Sequence, residues 1–235
     1  MKQDLRILLP SVVIFLLSFL DRTNVANARV LNQATGDSLL QTLHFTNHEF
    51  VVSLMLFLVA YAAFEAPSNL MLKRFHPSRW IAFLMMTWGI LTMTLAAVES
   101  YAAFTIVRVL LGAAEAGLFP GLVFILTFWY KTNERILRIA LIFASGCAAG
   151  AFGGAIAYGI GHLNGRNGLE GWRSMVIHIG GNAKLRHGNI CVSLFPDWPE
   201  TAKWLSPEER ALAVARLIGD ASSSVPSELW EDALV

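Results

Sequence analysis

FVVSLMLFLVAYAAFEAPSNLMLKRFHPSRWIAFLMMTWGILTMTLAAV, residues 50–98, is the stretch that decides the fold. Two apolar runs, Phe50 to Leu72 and Trp80 to Val98, flank a short turn with Lys73, Arg74 and Arg79, and Glu65 is the only acid in the stretch. Each run matches the roughly 20 mainly apolar residues that cross about 30 Å of hydrocarbon. In lipid the backbone must satisfy its own hydrogen bonds, so both runs read as helices, and the short turn makes them antiparallel neighbours. The same pattern recurs on either side, from Ile7 to about Val30, from Tyr101 to Tyr130 and from Ile139 to Gly161. Five spans predict an all-α, polytopic membrane bundle with the lipid bilayer as its solvent.

Composition agrees. Of 235 residues, 55% are hydrophobic and 15% charged, with 15 Phe and 7 Trp, and the mean hydropathy is +0.52. Soluble domains carry about 25% charged residues. Two cysteines, Cys147 and Cys191, exclude a disulfide scaffold, and a net charge of +1 gives no handle on nucleic acid. His44 and His48 lie four apart but lack a third ligand, so neither a metal nor a cofactor is expected. A secretory signal is the rival reading of span one, since Lys2 and Arg6 precede the apolar run and Ala26-Asn27-Ala28 resembles a cleavage site. Asp21-Arg22 directly after Leu20, and four further spans, argue for a membrane helix.

Basic residues set the orientation. Lys2, Arg6, Lys73, Arg74, Arg79, Lys131, Arg135 and Arg138 fall on one side, against Arg166 and Arg173 on the other. The excess predicts a cytoplasmic N-terminus. After Pro196 the character changes: Ser206 as cap, Pro207 at the first helical position and Glu209 three residues past the cap mark a short surface helix, with Gly219 as its stop and residues 220–235 as a loose acidic tail. The expected division is a transmembrane bundle over 1–195 and a cytoplasmic central-loop segment over 196–235.

Ionisable residues within spans are expensive and need a partner or a task. Asp21, Arg22 and Arg29 lie in span one, Glu65 in span two, and Arg108 and Glu115 in span four. Arg108 and Glu115 are seven residues apart, almost two turns, so they share a face, with Gly112 between them. Two readings stand side by side: ion pairing with neighbouring helices, or an anion-binding Arg with a protonatable Glu nearby. Asp21 and Arg22 point about 100° apart and cannot both face one cavity. Glu65 precedes Pro67 and Asn69, which can break the helix and leave backbone groups for a buried carboxylate. Gly112, and Gly146, Gly150 and Gly154 at every fourth position of span five, read as helix-packing positions. An intramembrane enzyme would need a nucleophile with its base, and Ser145 and Cys147 have no His in a span beside them.

LDRTNVANA at 20–28, FEAPSNLMLKRFHPSRW at 64–80, RVLLGAAEAGLFPG at 108–121 and PDWPETAKWLSPEER at 196–210 resemble the major facilitator superfamily, and within it the anion:cation symporter family, most like the fungal allantoate permease group. The resemblance implies the N-terminal six-helix half of a twelve-helix transporter, with the C-terminal half expected beyond it. It also implies a small organic anion, a carboxylate, as substrate, with a proton as coupling ion, alternating access, and a location in the plasma membrane. By resemblance Arg108 and Arg22 are substrate-binding positions and Glu115 is the proton-coupling position; Glu65, as an ionisable residue within a span, is a second proton-coupling candidate read from the sequence itself. A membrane protein truncated or mis-spliced and without transport activity is the alternative.

Residues 174–195, SMVIHIGGNAKLRHGNICVSLF, stand where a sixth span belongs and look degenerate. Lys184 and Arg186 cost about 2.5 to 3.5 kcal/mol each at a helix centre, while each Ile, Val, Leu or Phe returns about 0.3 to 0.6, so the segment does not insert on its own. A reading-frame or splice change confined to this insert reconciles it with the family-like flanks.

Overall fold

The computed structural model of the chain describes residues 3–165, 168–194, 198–202 and 204–224. Its long elements are α1 (Leu9–Ala28), α3 (Asn47–Arg74), α4 (Pro77–Leu95), α5 (Tyr101–Glu115), α6 (Leu118–Trp129), α7 (Thr132–Gly161), α9 (Ala183–Leu194) and α10 (Pro207–Ser224). Two short helices, α2 (Leu39–Thr42) and α8 (Gly171–Met175), stand before α3 and before the last bundle helix. All regular elements among the described residues are helical. A π-helical turn, Asp4–Leu8, leads into α1.

Among the described residues, three helices are long and apolar enough to cross a membrane by length and composition: Asn47–Arg74, Tyr101–Trp129 and Thr132–Gly161. They differ in setting. The apolar window of Tyr101–Trp129 is 61% buried, against 22% and 28% for the other two, so α5 and α6 form the centre of the bundle while α3 and α7 show apolar sides outward. The principal pairings are α1 on α7, α3 on α5 and α4 on α9. Polar side chains fix these seams: Ser53 Oγ and Thr105 Oγ1 lie 2.9 Å apart between α3 and α5, and Ser145 Oγ of α7 donates to the Val12 carbonyl at 3.2 Å.

The central helix is broken. α5 ends at Glu115 and α6 begins at Leu118, with Ala116 and Gly117 between them. Pro120 explains the position, because its ring nitrogen cannot donate to the carbonyl four residues earlier, that of Ala116. Gly112 serves close approach: a Cβ there would lie 2.4 Å from the Phe57 carbonyl oxygen of α3.

One expectation, the stop at Gly219, is revised, and the segment read as a degenerate span takes a definite conformation. Residues 171–194 are helical throughout, running from α8 through a π-helical stretch, Val176–Asn182, into α9. The penalty for Lys184 applies to a lone helix; in the assembled bundle Lys184 is fully buried and paired with Asp21. α10 also runs past Gly219 to Ser224. A glycine in an exposed helix costs about 1 kcal/mol, too little to end it unaided. The rest of the expected acidic tail, 225–235, lies outside the described residues. At the N-terminus of α10, Ser206 and Glu209 exchange the two bonds of a capping box, at 3.1 Å each.

The basic side of the bundle is tied together by side chains. Asp4 accepts from Arg138 of α7 at 2.9 and 3.0 Å and from the Tyr130 hydroxyl at 3.2 Å. Partial burial opposes ionisation of Asp4, but the bonded Arg138 guanidinium holds its carboxyl below the ordinary value. Arg216 of α10 pairs with Glu134 of α7, and Trp204 stacks on Trp129, which docks residues 204–224 on the ends of α6 and α7.

Candidate functional site

Four of the ionisable residues singled out within the spans converge inside the bundle, and a fifth joins them from the segment read as degenerate. Glu115, at the end of α5, is buried, and its Oε1 accepts from Arg22 Nη2 at 2.9 Å, from Arg22 Nε at 3.1 Å and from Ser18 Oγ. Its second oxygen, Oε2, is buried and has no hydrogen-bond partner among the described residues. Arg22 is partly open, with 37% of its side chain exposed. Together with Ser18, Phe19, Tyr61 and Phe119 these two residues line a cavity of about 180 Å³. The Arg22 guanidinium sits 5.1 Å from the Tyr61 ring centroid and 5.8 Å from that of Phe57.

Asp21 turns the other way, as adjacent positions on a helix must. Its Oδ1 pairs with Lys184 Nζ at 2.9 Å and its Oδ2 accepts from Trp88 Nε1 at 3.3 Å. Lys184 also donates to Thr92 Oγ1 at 2.8 Å and lies 3.8 Å from the Trp88 ring centroid. This network holds α1, α4 and α9 together.

Arg108 is the residue left over. It is 2% exposed, and its Nε and Nη2 have no hydrogen-bond partner among the described residues. The aromatic rings of Phe57 and Phe104, at 5.7 and 5.5 Å, are its close cation–π neighbours. A buried guanidinium with idle donors is costly unless an anion meets it. Seven residues of helix separate it from Glu115, about 10 Å along the axis, so the two do not neutralise each other directly. On the adjacent turn of α1, Asn24 is 1% exposed with both side-chain polar atoms unpartnered.

The remaining expected positions fall elsewhere. Glu65 is half-buried and lines a separate cavity of about 460 Å³ with Asn69, Lys73 and Pro120. Arg29 lies at the end of α1 and donates to Asn47 Oδ1 at 2.8 Å. Gly146 meets Phe15 and Phe19 of α1, whereas a Cβ at Gly150 or Gly154 would meet nothing within 4 Å among the described residues. Gly153, off the stripe, is the one that meets Thr23 of α1. Sequence reasoning missed Lys184 as a site neighbour; the available signal was that Asp21 and Lys184 were each a buried charge without a local partner.

A bundle with helices long and apolar enough to cross a membrane, whose interior holds two ion pairs and a guanidinium with idle donors among the described residues, is the architecture of a polytopic integral membrane protein. A family model described as Major Facilitator Superfamily matches residues 12–183, and the chain belongs to that superfamily. It is 52% identical over 233 residues to the MFS transporter prlL of Fungal sp. (strain NRRL 50135), covering 99% of this chain and 47% of that protein. It is 36% identical over 200 residues to a putative tartrate transporter of Agrobacterium vitis, covering 85% of this chain and 42% of that one. Among solved structures it is similar to a bacterial homolog to the human lysosomal transporter Spinster, in an inward-facing and occupied conformation, at a TM-score of 0.69 and 21% identity over 84% of this chain and 45% of that chain. The chain thus spans about half the length of the relatives it matches.

Proposed function

We propose that this bundle is the N-terminal half of a proton-coupled carrier of small carboxylates, of the anion:cation symporter type and related to the allantoate permease group. The observation that carries the reading is Arg108: a buried guanidinium with two idle donors, while the buried acids Glu115 and Asp21 are paired with Arg22 and Lys184. A guanidinium offers a planar fork suited to a carboxylate, and an anionic substrate supplies the missing counter-charge. The name of the Agrobacterium relative, a putative tartrate transporter, supports a carboxylate.

Glu115 is the proton-coupling residue in this reading. Its ionised form is held by Arg22 and Ser18, and its free Oε2 lies in the interior of the bundle. Loading a proton there releases Arg22, whose partly exposed guanidinium then offers a second anion contact at the cavity. Glu65 is a less direct candidate for the same task. Substrate is enclosed alternately from each side as two bundles rock about a midplane site, which requires a second bundle opposite this one. Gly150 and Gly154 leave a smooth stripe for that partner. Residues 171–194 act as the sixth span, the 198–224 segment as the cytoplasmic link between halves, and the N-terminus lies on the cytoplasmic side of the plasma membrane.

The test is uptake in a full-length form. Arg108→Ala abolishes uptake of an anionic substrate. Glu115→Gln retains substrate exchange and loses the dependence of net uptake on a proton gradient, because the amide keeps the shape without the titratable proton. Unchanged proton-driven uptake in Glu115→Gln removes that residue from coupling.

A further inference from the structure

A third concavity lies on the outer side of the bundle, away from the charged interior. It is an apolar groove of about 390 Å³ between α3, α4 and α5, with Met71 and Trp80 at one end and Leu91 at the other. We propose that this groove holds one acyl chain of an anionic phospholipid, with the headgroup on Lys73, Arg74 and Arg79.

Three observations meet here. The first is length: Trp80 and Leu91 both line the groove and are eleven residues apart on α4, about 16 Å at 1.5 Å per residue. That is about half of a 30 Å hydrocarbon core, the depth of a single leaflet. The second is the rim. Phe75 stacks on Trp80, and Trp80 on Phe83, with centroids 5.9 and 5.4 Å apart, forming an aromatic ladder from the turn into the groove. The Trp80 indole N–H is held by Ser68 Oγ at 3.1 Å, which fixes the ring at the groove mouth. Aromatic residues in this arrangement mark the headgroup level.

The third is charge. Lys73, Arg74 and Arg79 are exposed, none is in an ion pair among the described residues, and no acid occurs between residues 66 and 98. The other basic turn differs: there Arg138 is paired with Asp4, and Glu134 is present on the same helix and bound by Arg216. Lys73 also lines the neighbouring cavity with Glu65, but none of the three basic side chains forms an ion pair among the described residues, and all three lie at the α3 and α4 ends that bound this slot of single-leaflet depth. An anionic headgroup meets the charge while its tail fills the slot. The exposed side chains of Phe64 and Phe83, at 51% and 56%, form the walls that a zwitterionic lipid would also wet, so the basic turn is what selects for anionic lipid.

The chain is reconstituted in phosphatidylcholine bilayers containing either phosphatidylserine or phosphatidylcholine brominated on its acyl chains, and the Trp80 signal is isolated by difference against Trp80→Phe. Each basic residue near the surface contributes about 1 kcal/mol toward anionic lipid, which converts to about fivefold. Brominated phosphatidylserine is therefore expected to quench Trp80 at a mole fraction at least about fivefold lower than brominated phosphatidylcholine. The preference disappears when Lys73, Arg74 and Arg79 are all changed to Gln, and survives Lys131→Gln with Arg135→Gln. Ala113→Phe fills the groove from the α5 wall without altering the turn, and lowers quenching by brominated phosphatidylserine. The wild-type preference also falls as salt rises, a readout that needs no variant to fold. Equal quenching by the two lipids, a salt-independent preference, or one that survives loss of all three basic residues overturns the proposal.

Discussion

Lys184→Met is the perturbation whose cost the structure sets most clearly. Lys184 Nζ is 2.9 Å from Asp21 Oδ1, both side chains are buried, and the further side-chain hydrogen bonds of Asp21 and Lys184 among the described residues go to Trp88 Nε1 and Thr92 Oγ1 respectively. Removing one partner of such a pair strands the other charge, at a cost of about 3–5 kcal/mol. Thermal midpoints of chains of this size move by about 2–4 °C per kcal/mol, so Lys184→Met in detergent unfolds at least about 6 °C below the parent, and Asp21→Asn behaves alike. The double variant leaves no charge to strand and loses much less than the sum of the singles, with a coupling of at least about 2 kcal/mol. The assay is thermal unfolding followed by circular dichroism on all four proteins. Two small and additive single effects would overturn the buried pair, because α9 would then contribute no compensating charge to α1.

Gly112→Ala places a methyl 2.4 Å from the Phe57 carbonyl, so it forces α3 and α5 apart and is expected to destabilise the chain by about 1–3 kcal/mol, measured in the same unfolding assay. In a background with Cys147 and Cys191 replaced by Ser, a Cys at exposed Gln33 reacts with an impermeant thiol reagent on intact cells and one at exposed Arg79 does not; the opposite result inverts the topology. The Asp4 carboxyl is depressed by Arg138, so its contribution to stability is present above the ordinary carboxylate range and is lost as pH falls through its lower folded-state value. The difference in thermal midpoint between the parent and Asp4→Asn therefore shrinks on acidification, and a difference that grows contradicts the pairing.

The sequence makes much of this fold legible because lipid leaves few options. Long apolar runs bounded by Lys73, Arg74, Arg79 or Lys131 can only be helices, and those runs fall on α1, α3, α4, the α5–α6 unit and α7. The capping box at Ser206 was equally local, since its two bonds join residues three apart. What resisted reading was nonlocal. Lys184 looked like an error because its cost is computed for a helix alone, whereas Asp21 stands 163 positions earlier and the pairing exists only after α9 packs on α1 and α4. The same holds for Glu115: its partner was legible as a candidate charge, Arg22, but not as its partner. Gly150 and Gly154 repeat at helical spacing, yet spacing does not say which side of α7 faces a neighbour, and in this chain it is Gly146 and Gly153 that do. The break before Pro120 was in principle readable, since proline removes a specific donor four residues downstream of the freed carbonyl.

One wall of a two-bundle anion carrier, with Arg108 at its substrate site, is the role proposed for this bundle. Proton-driven uptake of a panel of small carboxylates into proteoliposomes of verified protein density tests it most directly, comparing the 235-residue chain with a form completed by a second half. The completed form should accumulate a carboxylate saturably and lose that accumulation on Arg108→Ala, while the 235-residue chain alone matches empty liposomes. Saturable, Arg108-dependent accumulation by the 235-residue chain alone would contradict the two-bundle requirement, and uptake by the completed form that persists in Arg108→Ala would contradict the site.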